Sequence, residues 1–239
     1  MNCFLDIGSH TGEALEEALR PIYKIDSVYA VEPSTFGLSK LMKFNDRRVR
    51  IFPIALSNFR GKAELFGAGS VGGGLFADKY QHWRESETVQ VEKFSEWAEE
   101  NLTHFSEVYV KINVEGSEFF ILQEMLKVHQ KIKFKSILLS IDILKVPSLR
   151  GFEYQLECLI SSLPINIDIR KTKDVKLSIE RWLASLELKL IRKSLRIMIS
   201  DFFRMYLPLN RNILRILKPY FPKKMWIKVA LRFGPNRAR

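Results

Sequence analysis

The first 32 residues place two short apolar runs on either side of a glycine turn. The first run, residues 3–7, leads into a turn that contains Gly8 and Gly12, and the second run, residues 28–31, is followed directly by Glu32. A strand, a glycine turn, a helix and a second strand ending in a carboxylate form half of a nucleoside-binding unit, in which the glycines let the backbone approach the ligand. We therefore expect the Glu32 carboxylate to accept hydrogen bonds from both ribose hydroxyls.

The spacing of the turn indicates which kind of nucleoside it fits. A dinucleotide fold would show G-x-G-x-x-G, with a helix N-terminus open to a pyrophosphate. Here the pattern is Asp6-x-Gly8-x-x-x-Gly12, with an acid before the turn and no third glycine. An acid at this point repels phosphate but suits a ligand with an amino group and no phosphate, such as S-adenosylmethionine. The alternative, an ordinary strand–turn–helix with a capping aspartate, does not account for Glu32.

Composition limits the class of protein. The chain has 239 residues, of which 46% are hydrophobic, enough for one ordinary domain with a core plus an appendage. No run approaches the roughly 20 apolar residues of a membrane-spanning helix, and we expect no secretory signal at the start. Cys3 and Cys158 form no disulfide or metal pattern, which favours a reducing cytoplasm.

The charge is divided unevenly along the chain. Residues 189–239 hold 14 of the 38 Lys and Arg but only one of the 27 acids, so residues 1–188 hold 24 bases and 26 acids. We therefore predict two domains, a nearly neutral catalytic domain at 1–188 and a basic tail at 189–239.

Strand-like and helix-like segments alternate over residues 3–142, which is typical of an α/β fold with a mostly parallel sheet between helices. The predicted strands lie near 3–7, 27–31, 49–54, 108–112, 136–141 and 165–169, and the predicted helices near 12–20, 35–44, 93–102 and 117–129. The glycine-dense segment 67–74 lacks the Lys-Ser/Thr ending of a phosphate loop. It is either a flexible connector or a mobile flap over the substrate.

Four segments resemble the motifs of one family, namely residues 5–12, 30–34, 54–61 and 110–118. In this order they resemble the FkbM family of S-adenosylmethionine-dependent O-methyltransferases, and the last segment is a near match to that family's K-I-D-V-E-G-A-E. The resemblance implies a Rossmann-like class I methyltransferase fold with a mostly parallel seven-stranded sheet. Family members usually carry residues ahead of the first strand, so we expect either a short start or a reading frame that begins upstream.

The resemblance also implies roles for individual residues. The turn after the first strand would hold the methionine part, Glu32 the ribose, the residues past the third strand the adenine, and residues 111–115 the floor beneath the sulfonium. The implied cofactor-binding residues are Asp6, Gly8, Ser9, His10, Gly12, Glu32, Pro33, Ala55, Leu56 and Asn113.

Asn113 departs from the family pattern, which usually has aspartate at this position. Some related enzymes place a divalent metal ligand at the end of this strand, and a neutral amide is a poorer ligand for Mg²⁺ than a carboxylate. We therefore expect no metal site. Asn113 would instead bind the cofactor or orient a substrate hydroxyl.

A hydroxyl acceptor benefits from a base within hydrogen-bond reach. The first candidate for a catalytic residue is Glu115, followed by His10 and Glu118; the alternatives are a turn-stabilising role for Glu115 and a backbone-bonded loop position for His10. Asp142 would either face the acceptor or be a surface acid. A sugar-stacking surface or core packing would equally explain the group Tyr80, His82 and Trp83.

From Ile191 the tail repeats large apolar residues at helical spacing, with Lys and Arg between them and prolines at 208, 219 and 222. Short basic amphipathic helices of this kind suit the headgroup region of an anionic membrane. The alternatives are that the apolar faces pack on the domain or a second subunit, or that the tail binds nucleic acid.

Together these observations predict a cytoplasmic S-adenosylmethionine-dependent O-methyltransferase held at the inner membrane face. The predicted acceptor is a hydroxyl of a sugar in a surface or lipid-linked glycan. The alternatives are an enzyme that methylates a small secondary metabolite, and a non-catalytic methyltransferase-like membrane or RNA adaptor.

Overall fold

A computed structural model describes residues 1–70, 72–79, 85–170 and 174–186. Its main feature is a six-stranded sheet in the order β3-β2-β1-β7-β8-β9, in which every neighbouring pair is parallel. A separate three-stranded sheet has the order β4-β6-β5. The strands are β1 Asn2–Ile7, β2 Ser27–Val31, β3 Val49–Phe52, β4 Ala55–Ser57, β5 Gly61–Phe66, β6 Ser86–Lys93, β7 Glu107–Ile112, β8 Phe134–Leu139 and β9 Asn166–Ile169.

The helices connect the parallel strands, as parallel pairing requires. The α-helices are α1 Glu13–Ala18, α2 Thr35–Leu41, α3 Phe94–Leu102, α4 Glu118–Val128 and α5 Glu153–Ser162, and residues 175–186 are also helical. Short 3₁₀ helices occupy Pro21–Tyr23, Ala77–Lys79, Ile143–Lys145 and Pro147–Phe152. The predicted α/β class and the predicted parallel strands of the large sheet are therefore confirmed.

The core lies on the central strands of the large sheet. In β1, residues 3–7 are all buried, and in β7 the same holds for residues 108–112. Such continuous buried runs are expected where helices cover both faces of a parallel sheet. Cys3 belongs to this core and is fully buried, and burial raises the pKa of its thiol.

The predicted seven-stranded sheet is wrong for the described residues, where the parallel sheet has six strands. The three-stranded sheet was not predicted at all. Its strands β5 and β6 alternate between exposed or half-buried polar residues and a few buried apolar ones, such as Leu65, Val89 and Val91. Because this sheet has only a small core of its own, its hydrophobic pattern is weak in the sequence.

The chain divides into two compact units, Met1–Ala184 and Ser185–Arg239. Within the described ranges, none of the helices has the length and hydropathy needed to cross a bilayer. The predicted amphipathic helices of 189–239 lie outside the described residues. The tail and the domain boundary therefore stay predictions.

Candidate active site

A cleft of about 670 Å³, including its open mouth, lies at the carboxyl ends of β1, β2 and β7. The carboxyl edge of a parallel sheet is where small-ligand sites occur. The described residues 67–70 and 73–75 form the facing wall. The glycine-dense segment therefore belongs to the cleft and does not merely connect two strands.

The turn after β1 packs directly against the turn after β7. Gly8 has a φ of 80°, and a Cβ atom there would lie 2.0 Å from the carbonyl oxygen of Asn113. The Asn113 backbone N–H donates a hydrogen bond to the Ile7 carbonyl at 3.0 Å. Only glycine fits this backbone contact, so the two strand ends together form a closed floor for the cleft.

The Glu32 side chain lines the cleft and is held there by the protein. Its Oε2 accepts a hydrogen bond from the His10 backbone N–H at 2.7 Å. Its Oε1 accepts from the Ser34 N–H at 3.0 Å and from the Ser34 hydroxyl at 2.5 Å. Each carboxylate oxygen can accept more than one hydrogen bond, so Glu32 is a pre-oriented carboxylate with capacity left for a ligand.

Carboxylates already lie at the N-termini of α1 and α2. Helix α1 begins after Gly12 and carries Glu13 and Glu16 in its first turn. On α2, the Thr35 N–H donates to the Glu87 carboxylate at 3.0 Å. Phosphate binding at a helix N-terminus needs free N–H groups and no competing acid, so this geometry does not suit a dinucleotide.

The adenine side predicted from the sequence is apolar. Ala55 and Leu56, both in β4, are buried and line the cleft together with Leu65 of β5. Pro33 lies on the same wall, directly after Glu32. A flat apolar slot beside a carboxylate is the arrangement that a nucleoside base and its ribose require.

Three side chains of the cleft wall each carry a buried polar atom that has no hydrogen-bond partner among the described residues. Neither His10 Nε2 nor Asn113 Oδ1 has a hydrogen-bond partner among the described residues. The Ser117 hydroxyl, also on the cleft wall, is in the same situation within that part of the chain. Unsatisfied buried polar atoms are costly in a native fold, and a bound ligand is one physical reason for them.

Asp6 does not line the cleft. It is fully buried and forms an ion pair with Lys111, whose Nζ lies 2.8 Å from Asp6 Oδ1. The same Nζ donates to the Gly8 carbonyl at 2.6 Å. Asp6 and Lys111 therefore stabilise the glycine turn from behind, and direct contact between Asp6 and the amino group of a ligand does not follow from this geometry.

Glu115 is held by a lysine that the sequence analysis did not identify. Glu115 adopts a φ of 57° and lines the cleft, and its carboxylate forms a buried ion pair with Lys79. The Lys79 ammonium also donates to the Gly72 carbonyl at 2.7 Å. Because its carboxylate is already bonded to an ammonium group, Glu115 suits an anchoring role better than the predicted role of general base.

Glu118 lies behind the cleft wall. It is fully buried, and both carboxylate oxygens accept from the Gly116 N–H at 3.1 Å. Burial, reinforced by the nearby charges of Asp142 and Glu115, raises its pKa to about 8 despite those hydrogen bonds. Asp142 is also buried and pairs with Lys145. Neither carboxyl lines the cleft, so the predicted catalytic role of Glu118 finds no support in this geometry.

The structure thus brings one group of predicted residues together on the cleft wall: Gly8, His10, Glu32, Pro33, Ala55, Leu56, Asn113 and Glu115. It places another group outside the wall: Asp6, Ser9, Gly12 and Glu118. Ser9 donates to the Asp6 carbonyl at 2.9 Å, and Gly12 packs against Phe44, so both shape the turn. Tyr80, His82 and Trp83 fall outside the described residues.

Sequence reasoning missed Lys79 and Ser117. The only available signal for Ser117 was its position inside the 110–118 motif, and Lys79 resembles an ordinary surface lysine. Among the described residues, no group of three or more His, Cys, Asp or Glu side chains is placed to hold a metal ion.

No protein-family model and no curated protein sequence matches the chain. The structure matches the crystal structure of methyltransferase FkbM from Methylobacillus flagellatus KT with a TM-score of 0.41 and 16% sequence identity. The match covers 69% of this chain and 39% of the crystallised one, so the chain spans about two fifths of that protein's length.

Proposed function

We propose that the chain is an S-adenosylmethionine-dependent methyltransferase. The observation that carries this proposal is the Glu32 carboxylate, fixed by His10 and Ser34 at the end of β2 and facing an apolar slot. A ribose presents two neighbouring hydroxyls to such a carboxylate. The acids in the first turn of α1 argue for a nucleoside without phosphate.

The residues present fit S-adenosylmethionine. Ala55 and Leu56 would hold the adenine, Glu32 the ribose, and the turn at Gly8 the methionine part. Asn113 Oδ1 and His10 Nε2 are two of the buried cleft atoms that have no hydrogen-bond partner among the described residues. A ligand with an amino group, a carboxylate and hydroxyls supplies the donors and acceptors that these two atoms need.

When bound, the cofactor would supply a methyl group on a positively charged sulfur: the oxygen of an acceptor hydroxyl would bond to the methyl carbon, the sulfur would leave as the neutral thioether of S-adenosylhomocysteine, and the hydroxyl proton would pass to solvent. The chain contributes mainly orientation, which accounts for a large share of the rate in such displacements. The contact between Gly8 and Asn113 fixes the floor, Glu32 fixes the ribose, and the segment ending at Lys79 excludes water from the facing side.

Calorimetric titration with S-adenosylmethionine and S-adenosylhomocysteine tests the proposal. We expect both to bind, and Glu32→Gln to weaken binding by about tenfold or more, because a charged hydrogen bond contributes about 1.5–3 kcal/mol. Glu64→Gln is the matched control, since Glu64 is an exposed glutamate on β5 that bonds to Thr88. Wild-type protein that binds neither compound would refute the proposal.

For the acceptor we propose a sugar hydroxyl in a surface or lipid-linked glycan, reached from the inner face of a membrane. The support is the family resemblance and the tail, which holds 14 Lys and Arg against one acid. Flotation of the full chain with vesicles should then require anionic lipid and weaken at high salt. Mass spectrometry of surface glycans, with and without the gene, would identify the acceptor by the loss of one methyl group.

A further inference from the structure

One lysine ties the facing wall of the cleft to the sheet. Lys79 is the last residue of the 3₁₀ helix Ala77–Lys79 and is almost completely buried. Its ammonium reaches back to the Gly72 carbonyl within its own segment and across to the Glu115 carboxylate after β7. It therefore joins two parts of the cleft that are 36 residues apart in the chain.

The same segment is closely packed at Gly73 and Gly74, where there is no room for a side chain. A Cβ atom on Gly74 would lie 2.9 Å from the Glu115 carbonyl oxygen, and one on Gly73 would lie 2.9 Å from the Gly67 carbonyl oxygen. Gly74 also pairs with Phe66 as an isolated antiparallel bridge. The wall is thus a fitted surface whose glycines are needed for close approach.

A second attachment lies beside the first. Asp78 accepts a hydrogen bond from the Ser148 N–H at 2.6 Å, and Phe76 stacks on Phe120 of α4 with ring centroids 6.2 Å apart. These contacts hold the end of the segment at the domain surface. Lys79 is the attachment that reaches inward, to the residues lining the cleft.

We propose that Lys79 is a positioning residue of the cofactor site: it holds the glycine-rich wall closed against Glu115 and so preforms the cleft. This inference rests on the proposed function. The segment contributes residues 67–70 and 73–75 to the lining while Lys79 itself does not line the cleft, so Lys79 acts through the wall. A cleft that is preformed for only part of the time binds its ligand more weakly in proportion to that fraction.

The test must distinguish the loss of the Lys79 contact with Glu115 from a general loss of stability. Removing Lys79 alone would leave the Glu115 carboxylate buried without its partner, which destabilises a fold strongly. We therefore compare the double variant Lys79→Met/Glu115→Gln, which leaves neither charge buried without its partner, with wild-type protein. A distant pair, Lys127→Met/Glu124→Gln, is the control, because Lys127 also binds a buried glutamate but on α4.

Two measurements on the full chain decide the question. We expect amide hydrogen exchange in residues 67–79 to be at least about tenfold faster in the double variant than in wild-type protein, since local opening sets exchange. We expect the dissociation constant for S-adenosylmethionine to rise about tenfold, with equal melting temperatures. The control pair should change neither quantity.

Unchanged exchange, or faster exchange with unchanged affinity, would overturn the inference. If wild-type protein does not bind S-adenosylmethionine, the proposed function fails, and hydrogen exchange still reports whether Lys79 holds the wall. If the double variant does not fold, Gly74→Ala replaces it, because the added methyl group displaces the wall from the Glu115 carbonyl. Its control is Gly151→Ala, where a Cβ atom meets nothing within 4 Å. Wild-type affinity in Gly74→Ala would equally refute the inference.

Discussion

A single methyl group added to helix α2 should displace the carboxylate of Glu32, for which we propose a ribose contact. A Cβ atom on Gly37 would lie 2.6 Å from Cγ and 2.7 Å from Cδ of Glu32, and 2.8 Å from the Ser34 hydroxyl. These separations are well below van der Waals contact, which begins at about 3.5 Å. In Gly37→Ala either the Glu32 carboxylate rotates away or the start of α2 shifts.

The expected magnitude follows from the bonds that would be lost. Rotation of the carboxylate gives up its bonds to Ser34 and His10, as well as its alignment with a ribose. Losing one charged hydrogen bond to the ligand costs about 1.5–3 kcal/mol, which corresponds to an affinity about ten- to a hundredfold weaker. Stability should also fall, because overpacking costs about 1–3 kcal/mol and the bonds to Ser34 and His10 are lost, against a gain of about 1 kcal/mol for alanine over glycine in a helix.

The assay is titration calorimetry with S-adenosylmethionine, accompanied by thermal unfolding of the same samples. Gly151→Ala is the matched control, since the same change there meets open space. Wild-type affinity in a folded Gly37→Ala protein would refute both the position of Glu32 and its ribose role.

Three further outcomes follow from buried groups. In the folded protein the pKa of Glu118 is raised from 4.5 to about 8, so folding favours the neutral acid. The free energy of unfolding should therefore fall as the pH rises from about 4.5 towards 8, and it should fall less steeply in Glu118→Gln. An equal dependence on pH in thermal melts of the two proteins would contradict this. Asn113→Leu removes an amide oxygen that has no partner within the described residues, so calorimetry should show weaker cofactor binding while the melting temperature is maintained or raised. Ser136→Ala removes the hydroxyl that accepts from Trp182 Nε1 at 3.0 Å and from Asn166 Nδ2 at 2.9 Å; it should lower unfolding free energy by about 1–3 kcal/mol without changing cofactor affinity.

The central strands of the large sheet, β1, β2, β7 and β8, were predictable because they are buried on both faces. Residues 3–7 and 108–112 are apolar except for Asp6 and Lys111. These two charged side chains form an ion pair inside the fold. The small sheet was missed for the opposite reason. Strand β6 carries polar residues such as Glu87 and Gln90, because much of its surface is exposed or half-buried.

The site was predicted where its residues follow strand ends directly. Glu32 follows β2, and Asn113 follows β7, so sequence position alone places them at the carboxyl edge. Lys79 could not be placed in this way, because its contact with Glu115 depends on how a glycine-rich segment folds back over the sheet. The same holds for Glu118, whose burial depends on the packing of α4.

The sequence by itself determined the parallel α/β order, the glycine turn and the carboxylate that ends the second strand, because these follow from local spacing and from burial on two faces. Only the tertiary structure decided which acids face the cleft. It turned Asp6 inward to Lys111, buried Glu118, and paired Glu115 with Lys79. Charge pairing across long separations in the chain depends on packing, and no spacing rule in the sequence specifies it.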